Sequence, residues 1–272
     1  MNRPRLSLLC AAALLVAGCD DKGVLPPIDV AYAGIHFLNA VPDTGEQDYR
    51  VVDIPSNAGL FDAQFRGHNR FYQAIEAGQR RVNVFNSSLN PAIASQVLSD
   101  TTFAFAQDQN YTFLHAGFAR TGSTPARTVW IIADQPPIPA ATDIGLRVIH
   151  AGAGIGSVDV SFIGPTDTLP DVPQMAGVTF STVRAYFTRP TATTLRIVAT
   201  AAGTKTPLLV NVTTPAGTAG TPTGNPIAGT SIAGSVLTVV IVPASVVGSA
   251  ATQFSTASAL FLVDRRPPNT AP

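Results

Sequence analysis

Apolar and polar residues alternate with a period of two along much of the chain, most plainly where Val158, Val160 and Phe162 are separated by Asp159 and Ser161, and where Asn83 lies between Val82 and Val84. That is the spacing of strands with one face turned to a core. Helical spacing is nowhere sustained, because the 22 glycines and 22 prolines interrupt it every few residues. The pattern therefore predicts an all-β protein of short strands joined by turns, about seven strands in each half, at the spacing of antiparallel, immunoglobulin-like sandwiches.

The strand pattern recurs. GIHFLNAVPDTGEQDYRV from Gly34 lies over GLRVIHAGAGIGSVDVSF from Gly145 at a constant offset without a gap, pairing Gly34 with Gly145, Ala40 with Ala151, Gly45 with Gly156 and Asp48 with Asp159. Ile35, Phe37 and Leu38 fall on Leu146, Val148 and Ile149. Further on, RRVNVF at 80–85 corresponds in kind to TLRIVA, the apolar run 111–114 to 237–240, and the closing VWIIADQPP to LFLVDRRPP. Two tandem sandwiches are expected, at 29–137 and 143–268, each folding on its own. The linker 138–142 sits in a stretch whose three prolines deny donors to any sheet. The segment 213–234 is so rich in Gly, Thr, Ala and Pro that it is expected to be a long mobile loop unable to hold a core.

The beginning of the chain follows a different rule. Arg3 and Arg5 precede an apolar stretch over 6–17, which ends on Ala17 and Gly18 before Cys19. Such a segment is too short to span a membrane and has the form of an export signal. Leu15-Val16-Ala17-Gly18-Cys19 resembles the lipobox of bacterial lipoproteins. The resemblance implies a signal peptide over 1–18, cleavage before Cys19 and acylation of its thiol, with 19–28, including Pro26 and Pro27, as a stiff tether. Several acyl chains such as palmitate on one residue suffice for stable anchoring, so the membrane is the expected partner through the lipid. The location implied is the cell envelope, on its periplasmic or cell-surface face. Aspartate directly after the lipidated cysteine resembles an inner-membrane retention signal, so Asp20 tilts the choice toward that membrane. With Cys10 discarded in the signal, Cys19 is the one remaining cysteine; an internal disulfide and a catalytic or metal-binding thiol are both excluded.

Charge narrows the partners. The chain has 17 basic and 17 acidic residues, and loss of Arg3 and Arg5 leaves a small acidic excess, so no nucleic-acid partner is expected.

At LRVIHAGAGIGSVDV the chain resembles the bacterial envelope family catalogued as domain of unknown function 4397. Its repeats open with an apolar strand, then His-Ala, a turn often containing Pro-Asp, and a Val-Asp-Val strand. The second copy supplies Val148, Ile149, His150, Ala151, Val158, Asp159 and Val160, with Ala153 and Gly154 where Pro-Asp would stand. The first copy keeps Ala40, Pro42, Asp43 and Asp48 but has Asn39 in place of the histidine. The resemblance implies a β-sandwich, an extracytoplasmic location and no established activity.

Candidate chemistry is sparse. His36, His68, His115 and His150 are not at metal-ligand spacing, and His150 is expected to bond backbone at a strand end. There is no Gly-x-Ser-x-Gly elbow. GAGIG at 152–156 is followed by a strand where a dinucleotide loop needs a helix, so it reads as a turn. Asp143, Asp159, Asp167 and Asp171 do not form a compact calcium loop. No catalytic, cofactor or metal residue is expected; the one site residue is Cys19. Phe61, Phe65, Phe71 and Tyr72, interleaved with Arg66, His68 and Arg70, could stack on sugars or peptides but are better read as core. The expected role is non-enzymatic binding or structure in the envelope, with an envelope protein or polysaccharide as partner. The alternative is a hydrolase or sensor subunit acting on cell-wall or extracellular polymer, which requires carboxylates converging in a groove.

Overall fold

A computed structural model describes residues 30–54 and 58–270; Cys19 and the whole of the expected signal peptide and tether, 1–28, lie outside them. In chain order the first half holds β1 (Tyr32–Ala40), β2 (Gln47–Val51), β3 (Gly59–Ala63), β4 (Gln73–Glu76), β5 (Gly78–Asn86), α1 (Pro91–Ala94), β6 (Val97–Phe105), β7 (Asn110–Ala116) and β8 (Thr128–Asp134). The second holds β9 (Asp143–His150), β10 (Val158–Ile163), β11 (Met175–Val178), β12 (Phe187–Pro190), β13 (Arg196–Ala201), β14 (Leu208–Thr213), β15 (Val236–Val242) and β16 (Ser258–Arg265).

These strands form four sheets of four, in the orders β4-β1-β7-β8 and β3-β2-β5-β6 in the first half, β12-β9-β15-β16 and β11-β10-β13-β14 in the second. The all-β sandwich architecture expected from the alternation is thus present in both copies, with the same strand order in each. Eight strands replace the expected seven, because the edge strands β4, β11 and β12 are only four residues long and lack a readable alternation. Pairing is antiparallel except for one parallel pair per copy, β1 with β7 and β9 with β15.

Each sandwich has its own core. In the first, Ile35 and Phe37 of β1 and Phe113 of β7 meet Tyr49, Val82 and Val84 of the facing sheet, with the Phe37, Tyr49 and Phe113 rings packed at centroid distances of 5.6 to 6.0 Å. In the second, Leu146, Val148, Val239 and Ile241 face Val158, Val160, Ile197 and Ala199. No named strand of one copy joins a sheet of the other.

A third apolar cluster joins the copies. Leu38, Ala40, Leu114 and Ala116, on the outer face of the first sheet, pack with Ile149, Ala151, Val240, Val242 and Leu262 on the outer face of its counterpart, flanked by Trp130, Ile132, Phe180 and Leu260. The two sandwiches, both within the compact unit that begins at Ala31, therefore stack as four layers of sheet. This explains why β15, VLTVVIV, is apolar at nearly every position and buried throughout. A strand covered on both faces does not alternate.

The segment 213–234 departs from expectation. Ala228 belongs to the second core, and Thr214 and Thr230 are buried and hydrogen-bonded to each other at 3.0 Å. Its small residues let backbone pack on backbone: a Cβ on Gly229 would meet Gly217 N at 2.1 Å. Composition that cannot supply large apolar side chains here supplies close approach instead, and Thr218 pairs with Ile227 across the bend.

Candidate functional site

The family-like motif residues act on backbone. At the end of β9, His150 Nδ1 accepts the Gly152 N–H at 3.1 Å and Nε2 donates to Gly156 O at 2.8 Å. The ring thus spans the GAGIG turn, whose Gly154 and Gly156 sit at φ +79 and +85, angles that favour glycine. Burial holds the His150 pKa below its usual value, consistent with a neutral ring that both accepts and donates. Asn39 shares half of this in the first copy: Oδ1 accepts from Val41 N two residues on, as His150 does from Gly152, but Nδ2 donates to Ala63 O at the end of β3, tying the strand end to β3 instead of spanning the turn. The two side chains share the acceptor role at the start of the turn and differ in where the donor goes.

The Val-Asp-Val aspartate is a clamp. Asp159 Oδ1 accepts from Gly177 N at 2.8 Å and Oδ2 from Gly203 N at 2.7 Å, tying two turns to β10. Asp48 accepts from Asp62 N and pairs with Arg50. Asp159→Asn should lose about 1–2 kcal/mol, since one backbone N–H would then face an amide donor. Faster amide exchange at Gly177 and Gly203 than elsewhere in the sheet is the measurement; uniform acceleration would show that the carboxylate is no local clamp.

Asp159 also lines a cleft of about 440 Å³ with Ser161, Pro170, Asp171, Thr200 and Lys205. Asp171 lies 2.6 Å from Lys205 Nζ on the rim, which holds its carboxyl below the usual range. One carboxylate of the cleft is thus occupied by backbone and the other by a cation, whereas a general acid needs a raised pKa. Asp143 accepts from Thr142 and Asp167 from Gly164 N. Among the described residues no three of His, Cys, Asp and Glu are gathered for a metal.

The aromatic segment 61–72 is dispersed. Phe65 is core, packed edge-on to Phe254 with Arg66 over both rings. Phe71 carries Arg70 and Arg266 on its face. Phe61 alone is exposed, beside Arg50, whose guanidinium also lies over Phe85. Arg66 reaches across to Pro243 O and Thr256 O of the second copy, and burial lowers its pKa to about 10.

Tyr72 leads to the most concentrated chemistry in the molecule, a polar cluster buried between the sandwiches. Asp134 and Asp264, at the ends of β8 and β16, each accept from a threonine of the neighbouring strand, Thr112 and Thr238. Arg147 Nη2 of the second copy donates to Asp134 Oδ1 of the first at 2.5 Å, and Nε to Thr238 Oγ1. His36 of the first copy, on the position the repeat aligns with Arg147, places Nε2 3.8 Å from Asp264 Oδ1 of the second. Tyr72 Oη lies 2.8 Å from Asp134 Oδ2 and 3.2 Å from Asp264 Oδ1; Tyr186 Oη donates to Asp264 Oδ2. Burial pushes the Asp264 carboxyl up to about 7, with Arg147 opposing and Asp134 reinforcing. Burial pushes His36 down to about 4 and raises both tyrosines. Against the same burial, the two carboxylates hold Arg147 above its ordinary pKa.

Sequence reasoning missed this cluster, although the gapless alignment had already laid His36 on Arg147. The readable signal was a charged or imidazole side chain in the middle of an apolar strand.

Together these groups define a class: a duplicated all-β sandwich protein in which His150 and Asp159 hold turns and Asp134, Asp264 and Arg147 hold the junction between copies. A family model described as Domain of unknown function (DUF4397) matches residues 33–161, so the chain is similar to that family from β1 to within β10, across the first sandwich and into the second. No curated protein matches the sequence. Among solved structures, one described as "Alpha-glucan binding by a streptococcal virulence factor" aligns at 10% identity over 67% of this chain and 86% of that one, with a TM-score of 0.22, too low to establish a shared fold. The family match is compatible with a binding or structural role.

Proposed function

We propose that the protein is a cell-envelope lipoprotein, acylated at Cys19, whose stacked sandwiches form a non-enzymatic body for binding or structure at the membrane face. The observation that supports the non-enzymatic reading is the use of the ionisable groups: Asp159 and His150 hold turns, and Asp134, Asp264 and Arg147 hold the junction. Asp159, although it lines the cleft, is committed to two backbone N–H groups, and Asp264, whose carboxyl burial raises, is sealed in the junction instead of facing a groove. The anchoring rests on Leu15-Val16-Ala17-Gly18-Cys19.

Cys19→Ala should move the protein from membrane to soluble fractions or leave an uncleaved precursor, with loss of metabolic labelling by a fatty acid. A Cys19→Ala protein that is still processed, acylated and membrane-bound overturns the anchor. Release of reducing ends from cell-wall polysaccharide by the wild type, abolished by Asp171→Asn in the cleft, overturns the non-enzymatic part.

A further inference from the structure

The junction cluster has a charge and hydrogen-bond imbalance that one proton resolves. Its charged and imidazole side chains are almost fully buried, with 3% exposure for Arg147 and none for Asp134, His36 and Asp264, and the two tyrosines are half-buried. If both carboxylates were ionised, one guanidinium would balance two negative charges in a desolvated space, which costs several kcal/mol per uncompensated ion. Asp134 is well supplied with donors, from Arg147, Thr112 and Tyr72. Asp264 Oδ2 has Thr238 and Tyr186. Asp264 Oδ1 has neither: its neighbours are Tyr72 Oη at 3.2 Å and His36 Nε2 at 3.8 Å, the latter beyond hydrogen-bond range. Tyr72 has a single proton, and the closer Asp134 Oδ2 takes it.

The histidine sets the other half of the account. His36 Nδ1 lies 3.1 Å from Asn69 O, so the proton of a neutral ring belongs there, and Nε2 is buried with no well-formed hydrogen bond, beside the Val263 backbone. The ring is stacked on Tyr72 at a centroid distance of 3.9 Å.

We propose that the junction between the sandwiches is a proton-binding site, in which Asp264 is a carboxylic acid donating its Oδ1 proton to Tyr72 Oη while His36 beside it is neutral. The Asp264 proton then completes a chain, Asp264 to Tyr72 to Asp134, and the cluster is electrically neutral. The groups facing the proton are Asp134 from β8, Arg147 from β9, Thr238 from β15, His36 from β1, and Tyr72 and Tyr186 from the segments before β4 and β12; His68 is the next titratable neighbour of His36. Above neutral pH the proton leaves, a second carboxylate appears between the sheets with no cation to balance it, and docking weakens.

The signs of the two linkages oppose each other. Asp264 is raised from 3.8 to about 7 on folding, so its contribution is present below about 4 and lost as pH rises through 7. His36 is lowered from 6.5 to about 4, so its contribution is present above 6.5 and lost as pH falls through 4. Between about 4 and 6.5 folding moves one proton from the histidine to the aspartate, with little net uptake. Wild-type stability should therefore be nearly level there, and each variant should unmask the other group.

The test is a titration of full-length protein carrying aspartate labelled with ¹³C at the side-chain carboxyl. One carboxyl carbon should titrate near neutrality, apart from the acidic transitions of the rest, and Asp264→Asn should remove it. In His36→Gln the folding constant should fall by up to about tenfold per pH unit as pH rises from 4 to 7. In Asp264→Asn it should instead rise between 4 and 6.5. Absence of any near-neutral carboxyl in the wild type overturns the proposal even if neither variant folds, and so does its persistence in Asp264→Asn. A level stability profile in His36→Gln also overturns it.

Discussion

Replacing Arg147 with methionine should destabilise the protein by about 3–5 kcal/mol, the range for removing one partner of a buried ion pair. Among the described residues the guanidinium is the one cation hydrogen-bonded to the junction carboxylates: it donates to Asp134 Oδ1 and Thr238 Oγ1 and lies over the Tyr186 ring at 4.5 Å. Methionine fills much of the same volume, so the loss isolates charge and hydrogen bonding from packing. Denaturant midpoints at several pH values are the measurement. The loss should be larger above neutral pH than at pH about 4, because Asp264, raised to about 7 by burial, is protonated in acid and then adds no charge for Arg147 to balance. Adding Asp134→Asn should recover more than half of it, since the pair is then removed together and the coupling appears as non-additivity in a double-mutant cycle. A loss below about 1 kcal/mol, or strictly additive variants, would place the pair among solvent-screened contacts and contradict its burial.

Much of the architecture is written locally, and the parts that are not have a physical reason. Alternation such as that of 158–162 needs only one apolar face on the strand's own core and one polar face, even where the polar face is covered, as at Ser161 and Asn83, so those strands, the His150 turn and the Pro-rich closings were readable. Strands β1, β7, β9 and β15 could be recognised as apolar but not as central layers. What covers their second face is a sheet from the other copy, more than a hundred residues away, and no local pattern encodes that. For the same reason Thr112, Thr238, His36 and Arg147 looked like lone polar interruptions, although they meet in one buried network. Asp134 and Asp264 were seen as part of matching strand endings, and a bulge between Val236 and Leu237 in the β15 register disguises how closely the two acids correspond. In 213–234, composition was a poor guide because Gly217 and Gly229 allow packing by proximity rather than by apolar bulk.

The junction is self-complementary, and this governs what either half should do alone. Its apolar lining uses the same positions of both copies: Leu38 with Ile149, Ala40 with Ala151, Leu114 with Val240, Ala116 with Val242, and Ile132 with Leu262. Its polar contacts are reciprocal too, Arg147 of one copy meeting Asp134 of the other, and His36 meeting Asp264. Such exchange of i and j across an interface is the mark of an isologous, twofold contact. A fragment 143–268 keeps its own core of Leu146, Val148, Val160, Ile197 and Val239, which is enough for a sandwich of its length to fold. Yet Ile149, Val240, Val242 and Leu262 would then be uncovered, an exposure worth roughly 6–12 kcal/mol at most by burial of full side chains. A homodimer covers that face, and brings Arg147 of each copy opposite Asp264 of the other, in the place where Asp134 stands in the whole chain. The fragment should therefore give β-type circular dichroism and a cooperative transition whose midpoint rises with protein concentration, and sedimentation should find a dimer at micromolar concentration. Val240→Lys should abolish the dimer while leaving the β signal, because its side chain belongs to the junction and not to the core. A stable monomer would show that the apolar face does not drive docking. A fragment that is unfolded at every concentration would show that the two sandwiches are one folding unit, with neither copy able to form its core alone.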